Sequence, residues 1–154
     1  MTAPEITVDR SALETALVDV HATLADLLAA ADEQYAALVE RDRERLESAT
    51  RQLERLSARL ANAEVRRVAA LSGLSLNDAV KSQPRSAALA TSIGNAVRLL
   101  KAKQTQTASL LQQSIELTDQ TLKFLHQLVT PPATVYDTRG LAVARQSVLV
   151  DSRA

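Results

Sequence analysis

The side chains that could carry acid–base or metal chemistry are few and lie far apart in the sequence. The 154 residues include no cysteine and two histidines, His21 and His126. Without cysteine there is no disulfide, no thiol nucleophile and no thiolate ligand for zinc or an iron–sulfur cluster. Neither histidine has a cluster of carboxylates near it in the sequence, so we expect no metal site. His21 could serve as a phosphorelay histidine on a helical bundle, but an ordinary, partly exposed helix histidine fits its neighbours better.

A row of arginines is the next candidate, since Arg51, Arg55 and Arg59 recur every four residues. This spacing puts them on one face of a helix, where they could receive an acidic partner. The simpler interpretation is a solvated ridge that pairs with nearby carboxylates such as Glu47 and Glu54. The three glycines are too scattered to form a phosphate-binding loop, and no nucleophile elbow or carboxylate pair is present. We therefore expect a protein that is not an enzyme and uses no cofactor or small-molecule substrate.

The third candidate is the segment TPPATVYDTRGLAVARQSVLVDSRA, residues 130–154. Pro131–Pro132 separate it from the helical sequence before it, because proline has no backbone N–H to donate. It contains a turn-forming YDTRG sequence with a tyrosine, a residue type enriched at interface hot spots. Its leucines and valines are too many for a plain disordered tail, which favours a segment that becomes ordered on a partner. A loose terminus folded back on the rest of the protein is the alternative.

Composition narrows the classes of partner. The chain carries 18 basic and 18 acidic residues, and its aromatic content is 2%. A nucleic-acid-binding protein usually has a basic patch with stacking aromatics, so we expect no nucleic acid. No stretch approaches the roughly 20 apolar residues of a membrane span, and MTAPEITVDR at the start lacks the features of a secretory signal. The expectation is a soluble, cytoplasmic protein.

Apolar residues repeat at heptad spacing over much of the chain. The first seam has the spacing of the inner face of a helix: Leu13, Leu17, Val20, Leu24, Leu27, Ala31 and Leu38. A second seam is as regular but lies one residue out of phase: Leu46, Ala49, Leu53, Leu56, Leu60 and Ala63. A four-residue stutter within one helix would produce this shift. Because no Gly or Pro intervenes, we predict one long helix from about 9 to 72, capped by Thr7 or Asp9 and bent near 40–45.

A loop at 73–84 and a second long helix at about 85–130 are predicted next. Gly73 suits a left-handed helix cap, and Pro84 suits the first turn of a helix. The second helix carries a weaker apolar stripe: Ile93, Val97, Leu100, Ala108, Leu111, Ile115, Leu122, Leu125 and Val129.

Two residues near the start of this second helix suggest how it packs. Gly94 would allow another helix to come close, and Asn95 would be a buried polar residue that sets the register. Since no stripe can bury itself alone, we expect the second helix to fold back antiparallel along the first. The predicted fold class is all-α, an elongated antiparallel helical bundle or coiled coil of long helices with a flexible C-terminal tail. The predicted domains are a helical domain, 1–130, and a partner-binding tail, 131–154.

Three stretches carry a resemblance to a known family. They are the heptads of LVERDRERLESATRQLERLSARL from Leu38 to Leu60, the IGNAVRLL segment that opens the last long helix, and the terminal VYDTRG. Together they resemble the FlgN-type flagellar export chaperones, which serve the hook–filament junction proteins. The tyrosine–aspartate–glycine motif is the more specific part. The family tends to have a second asparagine where Arg98 stands, so only Asn95 of that pair is matched.

The resemblance implies a cytoplasmic chaperone of flagellar type III secretion. Such a chaperone holds the C-terminal helical segments of hook-associated proteins, prevents their premature assembly and brings them to the export gate. Docking to the cytoplasmic domain of that gate is implied for the tail motif, with Tyr136, Asp137 and Gly140. Apolar residues at helical spacing would bind an amphipathic partner helix: Leu111, Ile115, Leu122 and Leu125 of the stripe, with Leu141, Val143 and Val148 of the tail.

Two other functions stay open at this point. The chain could be a general coiled-coil scaffold or dimerisation protein, in which the seams pair with a second copy. It could also be a histidine phosphotransfer bundle that acts through His21. Sedimentation distinguishes the first of these from a chaperone, and acid-labile phosphate on His21 would identify the second.

Overall fold

The computed structural model describes residues 9–129 and the backbone of residues 135–136 and 142–143. It confirms the predicted all-α bundle. The chain divides into two units, residues 1–111 and residues 112–154, and the predicted boundary between 130 and 131 stays a prediction. In chain order the elements are α1 (Arg10–Glu40), α2 (Arg43–Leu71), α3 (Leu76–Val80), α4 (Pro84–Val129), β1 (Val135–Tyr136) and β2 (Ala142–Val143).

The first helix starts at one of the two caps expected from the sequence. The carboxylate of Asp9 accepts hydrogen bonds from the backbone N–H groups of Ser11 and Ala12, each at 3.1 Å. These bonds satisfy two of the four N–H groups that the first turn of any helix leaves without a partner. Thr7, the other predicted cap, lies outside the described residues.

The predicted single helix from 9 to 72 is wrong, because the chain reverses at Arg41 and Asp42. Arg41 has a φ of 58°, in the left-handed region, and ends α1. The N–H of Asp42 then donates to Ala37 O at 2.9 Å, and that of Arg41 to Leu38 O at 3.2 Å, the bonding pattern of a Schellman cap. Asp42 also caps the next helix, since its carboxylate accepts from Arg45 N–H at 3.1 Å. The out-of-phase seams therefore belong to two helices.

Polar contacts show that α1 and α2 lie antiparallel. Near the reversal, Gln34 Nε2 donates to Thr50 Oγ1 at 3.1 Å. Far from it, Arg59 contacts both Asp19, at 3.3 Å, and Asp26, at 3.6 Å. As the residue number falls along α1 it rises along α2, so the two helices form a hairpin.

The predicted loop at 73–84 contains a short helix. α2 ends where Ser72, with a φ of 50°, and Gly73, with a φ of +86°, both take left-handed conformations. Ser75 then caps α3 by accepting from Asp78 N–H at 3.1 Å. Hydrogen bonds from Lys81 and Ser75 hold the pKa of the Asp78 carboxyl below its ordinary value. Pro84 is the first residue of α4, a position where its missing N–H costs nothing.

The last helix runs parallel to α1, so the predicted antiparallel arrangement of these two is wrong. Arg85 pairs with Glu14 at 3.0 Å, and Lys103 pairs with Asp32 at 2.8 Å. Both pairs join residues 71 positions apart, as two parallel helices require. The reason is that the chain reverses twice before α4 begins, once at Arg41 and once between α2 and α4, and so returns to the direction of α1. Consequently α4 is antiparallel to α2.

The core of the first unit is made of aliphatic residues from all four helices. One cluster contains Leu13, Leu17, Leu71, Ala79 and Val80, and a second contains Val20, Leu24, Leu27, Ala63 and Ala96. From α4, Ile93 contacts both clusters. The buried polar side chains Thr23, Ser86 and Thr107 are satisfied, since no buried side-chain N or O atom of the described residues lacks a hydrogen-bond partner.

Two expectations for the start of α4 are wrong. Asn95 is exposed, and its side-chain oxygen accepts from the guanidinium of Arg98 rather than setting a register in the core. Gly94 is also exposed, and a Cβ added to it would have no atom within 4 Å. Close helix packing therefore does not require glycine here, and Ala96 is the buried residue of this turn.

Candidate functional site

The four stripe residues predicted to bind a partner protein are exposed on α4. The exposed fractions are 40% for Leu111, 67% for Ile115, 60% for Leu122 and 49% for Leu125. Along the same stripe, Ile93, Val97 and Leu100 pack against the core of the first unit. The stripe therefore changes from a core-forming to a solvent-facing surface along one continuous helix.

The ion pairs of α4 indicate where its packing partners end. Because α1 and α4 are parallel with a constant offset of 71 residues, the end of α1 at Glu40 is level with Leu111. α1 and α2 are thus long enough to cover α4 as far as about that residue. The last buried side chain of α4 is Thr107, in agreement with this geometry.

Every residue of α4 from 111 to 129 is exposed. In the second unit, the large apolar side chains that face solvent are Ile115, Leu117, Leu122, Phe124, Leu125, Leu128 and Val129. A helix usually gains its stability by packing an apolar face rather than from helix propensity alone. A contiguous exposed apolar patch of this kind is typical of a protein-binding surface.

The polar side of this part of α4 holds few charges. Lys123 pairs with Asp119 at 2.8 Å, and Gln112 donates to Glu116 at 3.3 Å. These pairs are four residues apart on one face, where they support the helix by a few tenths of a kcal/mol each. Because these polar pairs lie on one face, a partner that binds this part of α4 would contact its apolar face.

Sequence reasoning missed Leu117, Phe124 and Leu128, which are 58%, 59% and 66% exposed. The signal that could have revealed them is their spacing, since they recur at seven and four residues on a second side of the helix. The prediction follows one apolar stripe per helix, which is normal for a helix that packs on one side.

The structure describes only the backbone of two pieces of the tail. β1 and β2 pair antiparallel, with Val135 opposite Val143 and Tyr136 opposite Ala142. The predicted docking residue Tyr136 and the predicted partner-binding residue Val143 therefore lie on adjacent strands. Five of the named positions lie outside the described residues: Asp137, Gly140, Leu141, Val148 and the cap candidate Thr7.

The structure also places the histidines and arginines singled out from the sequence. His21 is half-buried on α1, and His126 is exposed on α4. Over residues 9–129, no group of three His, Cys, Asp or Glu side chains lies close enough together to hold a metal ion. Arg51 pairs with Glu47 at 3.5 Å, as expected for a solvated ridge, whereas Arg59 reaches across to the carboxylates of α1.

A wide groove in the first unit lies between α1 and α2 near Asp9. Small residues form much of its wall, among them Ala12, Ala16 and Ala69, and its Asp19 and Arg66 side chains bond to each other. Its ionisable side chains all make structural contacts, since Asp19 pairs with Arg66 and Asp9 caps α1. It is a weaker candidate than the exposed face of α4.

The comparisons with known proteins agree with the chaperone resemblance. The model of a family described as "FlgN protein" matches residues 8–144. No curated protein and no solved structure matches the chain. In the described helices, no stretch combines the length and the apolarity that a membrane crossing requires. Because the family model covers most of its residues, the chain belongs to the FlgN family of flagellar export chaperones.

Proposed function

We propose that the chain is a cytoplasmic chaperone of flagellar type III secretion that binds C-terminal helical segments of hook-associated proteins. Membership of the FlgN family supports the export-chaperone role. The observation that carries the mode of binding is the exposed apolar surface of α4 between Ile115 and Val129. An amphipathic helix from the partner would lie along this surface with its own apolar face inward.

Burial of apolar side chains supplies the affinity. Moving one exposed leucine or isoleucine fully out of water contributes about 1.5–3 kcal/mol. Ordering the partner segment costs ~2–5 kcal/mol of the gross contact energy. Several half-exposed residues therefore leave enough for micromolar binding, which needs about 8 kcal/mol. Such binding hides the partner's own apolar face, prevents early assembly and still allows release at the export machinery.

We assign delivery to the tail as part of the same proposal. Tyr136, with Asp137 and Gly140, would dock on the cytoplasmic domain of the export gate. Further apolar contacts with the partner protein would come from Leu141, Val143 and Val148. The pairing of Tyr136 with Ala142 supports a shared element, since it joins the strand of the docking motif to the strand that carries Val143.

Calorimetric titration tests the proposal. The C-terminal segments of the host's hook-associated proteins are titrated into the full chain and into a chain lacking residues 131–154. We expect micromolar or tighter binding with a negative heat-capacity change, weakened by the deletion. No binding to any segment, together with a stable homodimer in sedimentation, would contradict the proposal and favour the scaffold function.

A single substitution tests the role of the tail motif. Tyr136→Ala should weaken docking to the cytoplasmic domain of the gate, because it removes the large ring that would fill the contact. The measurement is pull-down or titration with that isolated domain, with partner-protein binding measured in parallel. If Tyr136→Ala leaves both interactions at wild-type affinity, the assignment of the tail is wrong.

A further inference from the structure

The exposed part of α4 carries two apolar seams rather than one. Seam A contains Ile115, Thr118, Leu122, Leu125 and Val129, at steps of three and four residues. Seam B contains Leu117, Thr121, Phe124 and Leu128, at the same alternating steps. Each residue of seam B directly precedes one of seam A, so the two seams lie about 100° apart around the helix.

Both seams face solvent. The apolar residues of seam A are between 49% and 80% exposed, and those of seam B between 58% and 66%. The described part of the second unit therefore covers neither seam. A helix that packs against one neighbouring helix needs only the narrow stripe of a single seam. The second apolar seam therefore indicates a second neighbouring helix.

No charged residue lies at the border between the two seams. Glu116, Asp119 and Lys123 all lie on the opposite side of the helix. The seam residues nearest the border are Thr121 of seam B and Leu125 of seam A. Charged residues that flank a seam normally direct the choice and orientation of a single partner helix. Here two occupants would meet over an uncharged border, which favours two helices that also pack against each other.

We propose that this surface binds two helices of one partner chain at once, a helical hairpin from the exported flagellar protein, with one helix in each seam. The inference rests on the proposed function, since that function supplies the class of partner. α4 would become one member of a small helical bundle that forms only in the complex. Both the stripe predicted from the sequence and the residues of seam B would then be part of the binding site.

The area of one seam argues against a single helix or a second copy of this chain as the occupant. From Ile115 to Val129 the helix is about 21 Å long and about 10 Å wide, so one seam buries roughly 200–400 Å² per helix. A specific interface usually buries about 800 Å² per partner. Two helices come much closer to that area, whereas a pair of α4 helices joined through one seam would leave the other seam in water.

Three double variants of the full chain test the inference. Leu122→Ser with Leu125→Ser weakens seam A, and Leu117→Ser with Leu128→Ser weakens seam B. Gln120→Ser with Gln127→Ser is the matched control on the polar side, because it places the same residue type in the same helix. All of these side chains are exposed, so the fold should survive, and circular dichroism verifies equal helicity.

The probes are two lengths of the C-terminal region of a hook-associated protein, the last predicted helix alone and the last two predicted helices with their connection. We expect the longer probe to bind at least about tenfold more tightly, and each seam variant to lose about tenfold or more of that affinity. The control should bind like the wild type. The shorter probe should respond to only one of the two seam variants.

The outcomes separate the inference from the proposed function. Equal binding of both probes, with no effect of the seam B variant, would overturn the two-helix inference while the chaperone function stands. Failure of both probes to bind would overturn the proposed function and, with it, the partner that we assign. A dimer at low micromolar concentration that both seam variants dissociate would show that a second copy occupies the surface.

Discussion

Arg41 shows how one residue determines the topology of the first unit. Its φ of 58° lies in a region that costs an L-residue with a side chain roughly 1–2 kcal/mol. Burial of apolar side chains offsets this cost, because the reversal brings the seams of α1 and α2 together. The residue type of Arg41 does not indicate a turn, since arginine is a good helix former.

Replacing Arg41 by glycine should therefore stabilise the protein. Glycine adopts positive φ without a steric penalty, and after its larger loss of backbone entropy we expect a gain of about 0.5–1 kcal/mol. Urea denaturation followed by circular dichroism measures the change. Arg55→Gly, in the exposed middle of α2, is the control and should destabilise by about 1 kcal/mol. A loss of stability in Arg41→Gly as large as that of the control would mean that α1 and α2 are one continuous helix.

A cluster of charges closes the same reversal. Arg45 Nε donates to Glu33 Oε1 at 2.8 Å, and Arg45 also pairs with Glu40. The hydrogen bond from Arg45 holds the pKa of the Glu33 carboxyl below its ordinary value of 4.5, while the partner carboxylates raise the pKa of Arg45. A lowered folded-state pKa stabilises the protein above the unfolded value, and this stabilisation is lost as the pH falls through the folded value.

The pair makes a pH-dependent contribution that Glu33→Gln should remove. We expect the variant to melt slightly below the wild type at pH 7, because the pair is exposed and screened. The difference should shrink towards zero as the pH falls below 4.5 and through the lowered pKa. Thermal melts across this range measure it, with Glu54→Gln in the middle of α2 as the control. A difference that stays constant with pH would show that the carboxylate is not the stabilising group.

The elements show which parts of the fold can be predicted from the sequence. Heptad spacing identified the buried face of α1, and Asp9, Gly73 and Pro84 marked helix ends correctly. The hairpin was missed because a stutter and a reversal produce the same phase shift, and local helix propensity favours the stutter. The choice between them depends on burial, since only a reversal allows the two seams to cover each other.

The exposed part of α4 could be located only in part from the sequence, for the same reason. Periodicity located the stripe of α4 but could not tell that Ile93 is packed while Ile115 is 67% exposed. That difference depends on the length of α1 and α2, which in turn depends on the reversal at Arg41. The prediction that Asn95 is buried rests on the role of single asparagines in coiled coils, whereas the helix places it on the exposed side.

A buried leucine of the core and an exposed leucine of α4 should therefore respond differently to truncation. Leu17→Ala removes a side chain that is 0% exposed and should cost about 2–5 kcal/mol of unfolding free energy. Leu125→Ala, at 49% exposure, should change it by less than about 0.5 kcal/mol while weakening partner binding. Urea titrations and calorimetry measure both effects. An equal loss of stability in the two variants would show that seam A is covered in the free protein.

At the scale of the whole molecule, we assign stability and the proposed binding to different units. The buried residues identified in the described chain, from Leu13 to Thr107, all fall within the first unit, which ends at Leu111. The apolar residues that we propose to bind a partner lie mainly in the second unit. A chaperone gains from this arrangement, because a surface that must bind and release a partner need not also hold the fold together.

A chain that ends at Leu111 should consequently fold but not bind. We expect it to melt cooperatively within a few degrees of the full chain, since it keeps every side chain of the two core clusters, and a new helix end costs no more than about 1 kcal/mol. Its affinity for the hook-associated segments should fall below detection. Calorimetry of melting and of binding on the two chains gives both values, and the chain lacking only residues 131–154 separates the contribution of α4 from that of the tail.

If the shortened chain unfolds or loses its cooperative transition, residues 112–154 contribute to the core, and the assignment of stability to the first unit alone is wrong. If it folds and still binds as tightly as the full chain, the partner occupies a surface of the first unit, of which the groove between α1 and α2 is the foremost candidate.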